Sequence, residues 1–189
     1  MLNNWKRLSK GHYVDLNELS IEDIDIEDIE VSLNYIYRFN GHHKDHVPLT
    51  VAQHTLLCCI LADMLFSDPK VFRGCLIHDF GEAYYGDITT PVKLAIGKES
   101  YTKITGPIDQ LINTKFWYPD EKEPDNYIKA SVKVCDLLSM DIERRSMWKS
   151  QLGKDKWPAV PSTTLSLIDK QALFEEVACQ KYIKLGEMF

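Results

Sequence analysis

Apolar residues recur at three- and four-residue spacing along most of the chain, which predicts helices throughout. Ile26, Ile29, Leu33 and Ile36 mark one face of an amphipathic helix that starts within the acidic stretch "IEDIDIEDIE", where carboxylates favour a helix N-terminus. A polar loop, "NGHHKDHVP", follows. The segment "LTVAQHTLLCCILADMLF" is apolar nearly all round and predicts a buried central helix capped by Thr50. Asp68 and Pro69 read as the cap and first residue of the next helix, which carries Val71, Phe72, Cys75 and Leu76 and is expected to end near Gly81. "SYTKITGPIDQLINTKFW" is a weaker helix, interrupted or started at Pro107. "YPDEKEPD" is a loop, and Asp125 is the expected cap of "NYIKASVKVCDLLSMDIERRSMW", whose buried stripe is Ile128, Val132, Cys135 and Leu138. After "LGKDKWPAVPSTT", a last helix is expected from about Asp169 to Leu185, with Gly186 beyond it. No alternating strand or hairpin turn stands out, so the predicted fold class is all-α, a compact helical bundle.

The 189 residues are 44% hydrophobic, ample for one domain and thin for two, so a single domain over 1–189 is expected. A net charge of −6 argues against a nucleic-acid polymer or a polybasic membrane surface as partner. It leaves room for a phosphate compound held by a few concentrated cations or a metal. The stretch "MLNNWKRLSKGHYVDL" has no apolar leader core and no run approaches a membrane span, so a cytoplasmic protein is expected. Cys58, Cys59, Cys75, Cys135 and Cys179 lie in apolar stretches without CxxC spacing and read as reduced core thiols.

Three places are wrong for a plain helical core. His54 interrupts the most apolar helix, His78 and Asp79 close the next, and Asp136 sits among Val132, Cys135 and Leu138. Singly, His54 reads as a hydrogen-bonded core histidine and Asp136 as half of a buried salt bridge. Together, two imidazoles and two carboxylates on three helices form a nitrogen–oxygen set suited to Mn²⁺, Co²⁺, Fe²⁺ or Zn²⁺. Such an ion would also be the partner that "LIHDFGEAYYGDITTPVK", with His78, three carboxylates and a lysine, otherwise lacks.

This "H…HD…D" order resembles the metal signature of the HD-domain phosphohydrolases. "IEDIEVSLNYIYRFNGHH", "VAQHTLL", "LIHDFGEAYYGDITTPVK" and "KVCDLL" resemble blocks of the small nucleotide-cleaving members from bacteria and phages, among them 5′-deoxynucleotidases and phage dATP triphosphohydrolases. The resemblance implies an all-helical HD fold with one tightly held divalent metal on His54, His78, Asp79 and Asp136. It implies that Glu82 polarises or deprotonates the attacking water, and that Asp87 orients that water or helps to hold a second divalent ion such as Mg²⁺. Lys93 in "TPVK" and Arg38 in "YRFNG" match phosphate-contacting positions, and Phe39 matches an aromatic beside the sugar or base. Lys133, one turn before Asp136, is a further candidate for substrate. Read without the resemblance, Glu82 is a solvated helix-end charge, Asp87 a turn residue after Gly86, Lys133 a surface lysine and Phe39 a core aromatic.

The implied activity is hydrolysis of the 5′ phosphoester of a small deoxynucleotide. Overall length and the block "RFNGHH…VAQHT" favour the dATP (dNTP) triphosphohydrolase type over a deoxynucleoside monophosphatase. A non-catalytic nucleotide-binding HD protein is a third reading, disfavoured because Glu82 and all four ligand candidates are present. Relatives self-associate, so a homo-oligomer is expected by analogy.

Overall fold

The architecture follows from three helices that bury one another. A computed structural model describes residues 5–42, 48–121, 123–147 and 169–189. The chain opens with β1 (Trp5–Arg7) and β2 (Tyr13–Asp15), then α1 (Ile26–Tyr35) and α2 (Val51–Phe66). Next come α3 (Pro69–Ile77), α4 (Glu82–Tyr85), α5 (Thr90–Ile96) and α6 (Lys98–Phe116). Helices α7 (Asn126–Met147) and α8 (Lys170–Ala178) follow, with a 3-10 turn over Leu185–Met188. The stretch "LGKDKWPAVPSTT" and most of the polar loop, including His43 and His46, lie outside the described residues.

Apart from the exposed Asp63 and Met64, helix α2 is buried or half-buried throughout because it packs on α3, α7, α8 and α1, while α3 and α7 also touch each other. Leu57, Cys58, Leu61 and Ala62 of α2 meet Val71, Cys75 and Leu76 of α3 and Cys135, Leu138 and Ile142 of α7 in one apolar cluster. The helix starts where predicted. Thr50 and Gln53 form a reciprocal capping box, each side chain accepting from the other's backbone N–H at 3.2 and 2.8 Å. Asp68 accepts from the Lys70 N–H at 2.8 Å, with Pro69 as the first residue of α3. Asp125 likewise accepts from the Ile128 N–H at the head of α7.

Several boundaries differ from the sequence expectation, each for a tertiary reason. Helix α3 ends at Ile77 rather than near Gly81. Residues 78–81 form a turn, which frees His78 and Asp79 from the helix repeat. Helix α6 runs straight through Pro107, and buried Ile108 and Ile112 hold its second half to the core at the cost of one backbone hydrogen bond. Helix α8 stops at Ala178 instead of Leu185. The chain beyond it is captured in other conformations: Asn34 exchanges two hydrogen bonds with the Ile183 backbone, both 2.8 Å, and Gln53 donates to the Gln180 carbonyl at 2.9 Å. Cys179 is exposed, unlike the four buried cysteines.

The antiparallel pair β1–β2, register Lys6↔Val14, was not expected, because three-residue strands are too short to show alternation. It serves the site. Lys6 donates from Nζ to the Ala83 and Tyr84 carbonyls at 2.6 and 2.8 Å, and so clasps the last turn of α4. Among the described residues no helix is long and apolar enough to cross a membrane.

Candidate metal and phosphate site

The sequence-predicted residues come from α2, the α3–α4 turn and α7, and they converge. His54 of α2 is fully buried, whereas the side chains of Asp79 and Asp136 are 18% and 21% exposed. His54 Nε2 lies 3.5 Å from both Asp79 Oδ2 and Asp136 Oδ1, and His78 Nε2 lies 3.2 Å from Asp79 Oδ2. Atoms bound to one ion at about 2.0–2.2 Å sit roughly 3.0–3.5 Å from each other at octahedral to tetrahedral angles. The three observed separations lie within that range.

The ring orientations agree with that use. His78 Nδ1 donates to the Cys75 carbonyl at 2.6 Å, and a carbonyl can only accept, so the proton sits on Nδ1. His78 Nε2 is thereby the nitrogen left to face the site, buried, without a hydrogen bond and 3.2 Å from Asp79 Oδ2. A buried nitrogen without a hydrogen bond beside a carboxylate is a place where a cation would be favoured. Cys58, one turn after His54, offers a sulfur as well. Its Sγ is 3.5 Å from His54 Nε2, and the ligand atoms of His54, Cys58 and His78 all lie within 4.8 Å of one another. Its thiol donates to Ser139 Oγ at 3.3 Å, which gives the sulfur a partner away from the carboxylates.

Glu82 opens α4 and is nearly sealed, with Oε2 lacking any hydrogen bond and Lys93 Nζ 3.9 Å from Oε1. Burial, then the charges of Asp79 and Asp87, push its carboxyl up to about 9. Asp87 lies half-buried just beyond α4, and burial raises its carboxyl too, opposed by Arg38. By contrast Asp79 and Asp136 are held below the usual carboxylate range: burial works against them, but the neighbouring His78 and His54 rings outweigh it. One site thus separates its carboxylates into charged and proton-holding kinds, the division that acid–base chemistry requires.

The cations sit at different depths. Lys93 on α5 reaches Glu82 from a half-exposed position, its ammonium 5.3 Å from the Tyr101 ring centre. Lys133 is 63% exposed and pairs with Asp136 Oδ2 at 2.6 Å. Arg38 is buried instead of reaching into solvent. Its guanidinium lies 3.4 Å from Glu143 Oε2 and 3.9 Å from Asp79 Oδ2. It is held there by a short antiparallel bridge, Tyr37↔Thr50, with the Arg38 N–H donating to the Leu49 carbonyl at 2.9 Å. The chain then turns sharply through Phe39 and Asn40 at φ 55° and 52°, left-handed values that ordinary residues adopt at a cost of about 1–3 kcal/mol. Phe39 packs on the edge of the core with the Arg38 guanidinium 5.5 Å from its ring. A cleft of about 320 Å³ opens over His78, Asp79, Glu82, Lys93, Lys133 and Asp136, and Tyr85, Tyr101, Asp109 and Lys129 add to its walls.

Glu143 and Ser139 were not foreseen. Both are fully buried on α7, and His54 Nδ1 meets Glu143 Oε1 at 2.6 Å and Ser139 Oγ at 3.1 Å. A signal was available: Asp136, Ser139 and Glu143 fall at i, i+3 and i+7, one face of a helix.

Comparison with known proteins points to a family. The family model described as HD domain matches residues 36–111, a span that contains His54, His78 and Asp79. An uncharacterised protein of Rhodobacter capsulatus is 32% identical over 145 residues, covering 74% of this chain and 70% of its own. The uncharacterised protein YfdR of Escherichia coli is 33% identical over 161 residues, covering 82% of this chain and 79% of its own. The chain belongs to the HD-domain family. HD-domain proteins bind divalent metals and are in general hydrolases, in keeping with the clustered His54, Cys58 and His78 on α2 and the α3–α4 turn.

Proposed function

We propose that this HD-domain protein is a metal-dependent phosphohydrolase that cleaves the 5′ phosphoester of a deoxynucleotide. The favoured substrate is dATP or another dNTP, with triphosphate as the released product. The observation that carries this reading is the convergence of His54, His78, Asp79 and Asp136 beside the buried Glu82 carboxyl, whose Oε2 has no hydrogen bond.

In this reading His54, His78, Asp79 and Asp136 hold a transition-metal ion such as Co²⁺, Zn²⁺, Mn²⁺ or Fe²⁺. Such an ion would supply Lewis acidity toward a phosphate oxygen and would lower the pKa of a water. Glu82, with a free buried oxygen, takes the proton of the attacking water. Asp87 orients that water or helps to hold a second ion. Arg38 and Lys93 provide fixed positive charge where the phosphate oxygens gain negative charge. Lys133 stands at the cleft rim, where a longer polyphosphate would meet it once its pair with Asp136 opens.

Two measurements test this. Chromatography of a dATP digest should give deoxyadenosine and triphosphate. Rapid cleavage of dAMP with inert dATP would instead establish the 5′-deoxynucleotidase alternative, and inertness toward every nucleotide would remove both in favour of a non-catalytic nucleotide-binding role. Arg38→Ala should lower catalytic efficiency on every nucleotide tested, because phosphate contacts carry no base information. Phe39→Ala should narrow the gap between deoxy and ribo substrates or between bases.

The raised Glu82 carboxyl gives a pH signature. Below about 9 it stays protonated in the metal-free protein. A nearby cation favours the charged form and moves the titration downward. Metal binding near pH 8 should therefore expel a proton from Glu82, in addition to those leaving the imidazoles. Titration calorimetry in buffers of different ionisation enthalpy should count about one proton fewer for Glu82→Gln than for the parent, by the linkage of protons to metal. Equal counts would mean that Glu82 is already ionised without metal.

A further inference from the structure

We infer that Glu143 is a positioning residue that sets both the metal donor His54 and the cation Arg38, so that metal and phosphate binding are coupled through one buried carboxylate. The inference rests on the functional reading above for His54 as a metal ligand. Glu143 is wholly buried on α7, yet it is far from alone. Its Oε1 lies 2.6 Å from His54 Nδ1 and its Oε2 lies 3.4 Å from Arg38 Nη2. Each oxygen thus serves a different functional side chain, one on α2 and one on the turn that precedes it.

The first arm acts on the imidazole. An ionised carboxylate only accepts, so contact at Nδ1 keeps a proton there and makes Nε2, which faces Asp79 and Asp136, the nitrogen that can offer its lone pair to a metal. Ser139 Oγ, 3.1 Å from the same Nδ1, donates to the Asp136 backbone carbonyl at 2.9 Å, and so ties the ring to the turn of α7 that carries the fourth ligand. The second arm acts on the guanidinium. Arg38 is 8% exposed and reaches Asp79 Oδ2 at 3.9 Å from the other side, so Glu143 keeps a buried cation at the edge of the metal group. A purely structural ion pair would need only Arg38. The 2.6 Å contact to a ring whose other nitrogen faces the ligand cluster is what assigns the residue to the site.

The test uses the full chain. Dissociation constants for Mn²⁺ by chelator competition, and for inorganic triphosphate on the Mn²⁺-loaded protein, are compared in the parent, Glu143→Gln, Arg38→Gln and the double variant, with far-ultraviolet circular dichroism as fold control. Glu143→Gln should weaken Mn²⁺ by roughly 10–100-fold, the usual scale for a carboxylate behind a metal-bound histidine. It should also weaken triphosphate. In the Arg38→Gln background its effect on triphosphate should vanish while its effect on Mn²⁺ persists. Glu143→Asp, which keeps a negative charge in the pocket but draws both oxygens back by one carbon–carbon bond, should lose metal affinity with the lost contact to His54, and it answers the question if the glutamine variant fails to fold. In the unmutated protein, long-range ¹H–¹⁵N spectra should show His54 protonated at Nδ1 and perturbed at Nε2 when Zn²⁺ is added. Attachment at Nδ1, or folded Glu143 variants with parental Mn²⁺ affinity, would overturn the inference and leave the functional reading standing. A parent that binds no divalent ion would overturn both.

Discussion

Asp79→Ala is expected to lose its divalent metal and its turnover together, and His78→Ala should do the same. Asp79 Oδ2 is shared three ways, 3.5 Å from His54 Nε2, 3.2 Å from His78 Nε2 and 3.9 Å from the Arg38 guanidinium. Its removal leaves two imidazoles and a buried arginine facing one another without the intervening negative charge, an arrangement that disfavours any cation between them. His78→Ala removes the donor whose orientation the Cys75 carbonyl sets, and opens a hole at the end of α3. Elemental analysis after dialysis reads the metal directly. A second readout is thermal: metal that binds only the native state raises the melting temperature of the parent, and neither variant should show that rise. Full metal occupancy with near-normal turnover in either variant would sink the four-ligand assignment.

Glu82→Gln should keep the fold and the metal but lose turnover by roughly 10²-fold or more, the scale of a general acid–base group. The amide is nearly isosteric, and Glu82 is already uncharged through most of the neutral range without metal, so the substitution costs the resting protein little. What it removes is the ability to accept a proton at an oxygen that is buried and without a hydrogen bond. Metal content and melting temperature should stay close to the parent. Unchanged turnover would take Glu82 out of the reaction.

The pattern along the chain accounts for much of this protein. Helical spacing, the Thr50, Asp68 and Asp125 caps and the all-round apolarity of α2 specify helices that must bury one another, because local propensity and tertiary packing agree at those positions. The odd residues His54, His78, Asp79 and Asp136 were legible for the same reason: a polar group in an apolar face violates the pattern and stands out. Tertiary structure alone decided the remainder. Short strands β1 and β2 pair where Lys6 also reaches the α4 carbonyls 77 and 78 residues away, and α8 ends where Asn34 and Gln53 capture the chain beyond it. Arg38 reads as a loop cation free to grip phosphate, yet it is buried against Glu143, 105 residues distant. Glu143 itself, in "SMDIERR", looks like a solvated helix charge. Its burial, its contact with His54 and hence its bearing on the site come from the packing of α2 against α7, and one-dimensional periodicity cannot say which distant polar groups two buried faces will bring together.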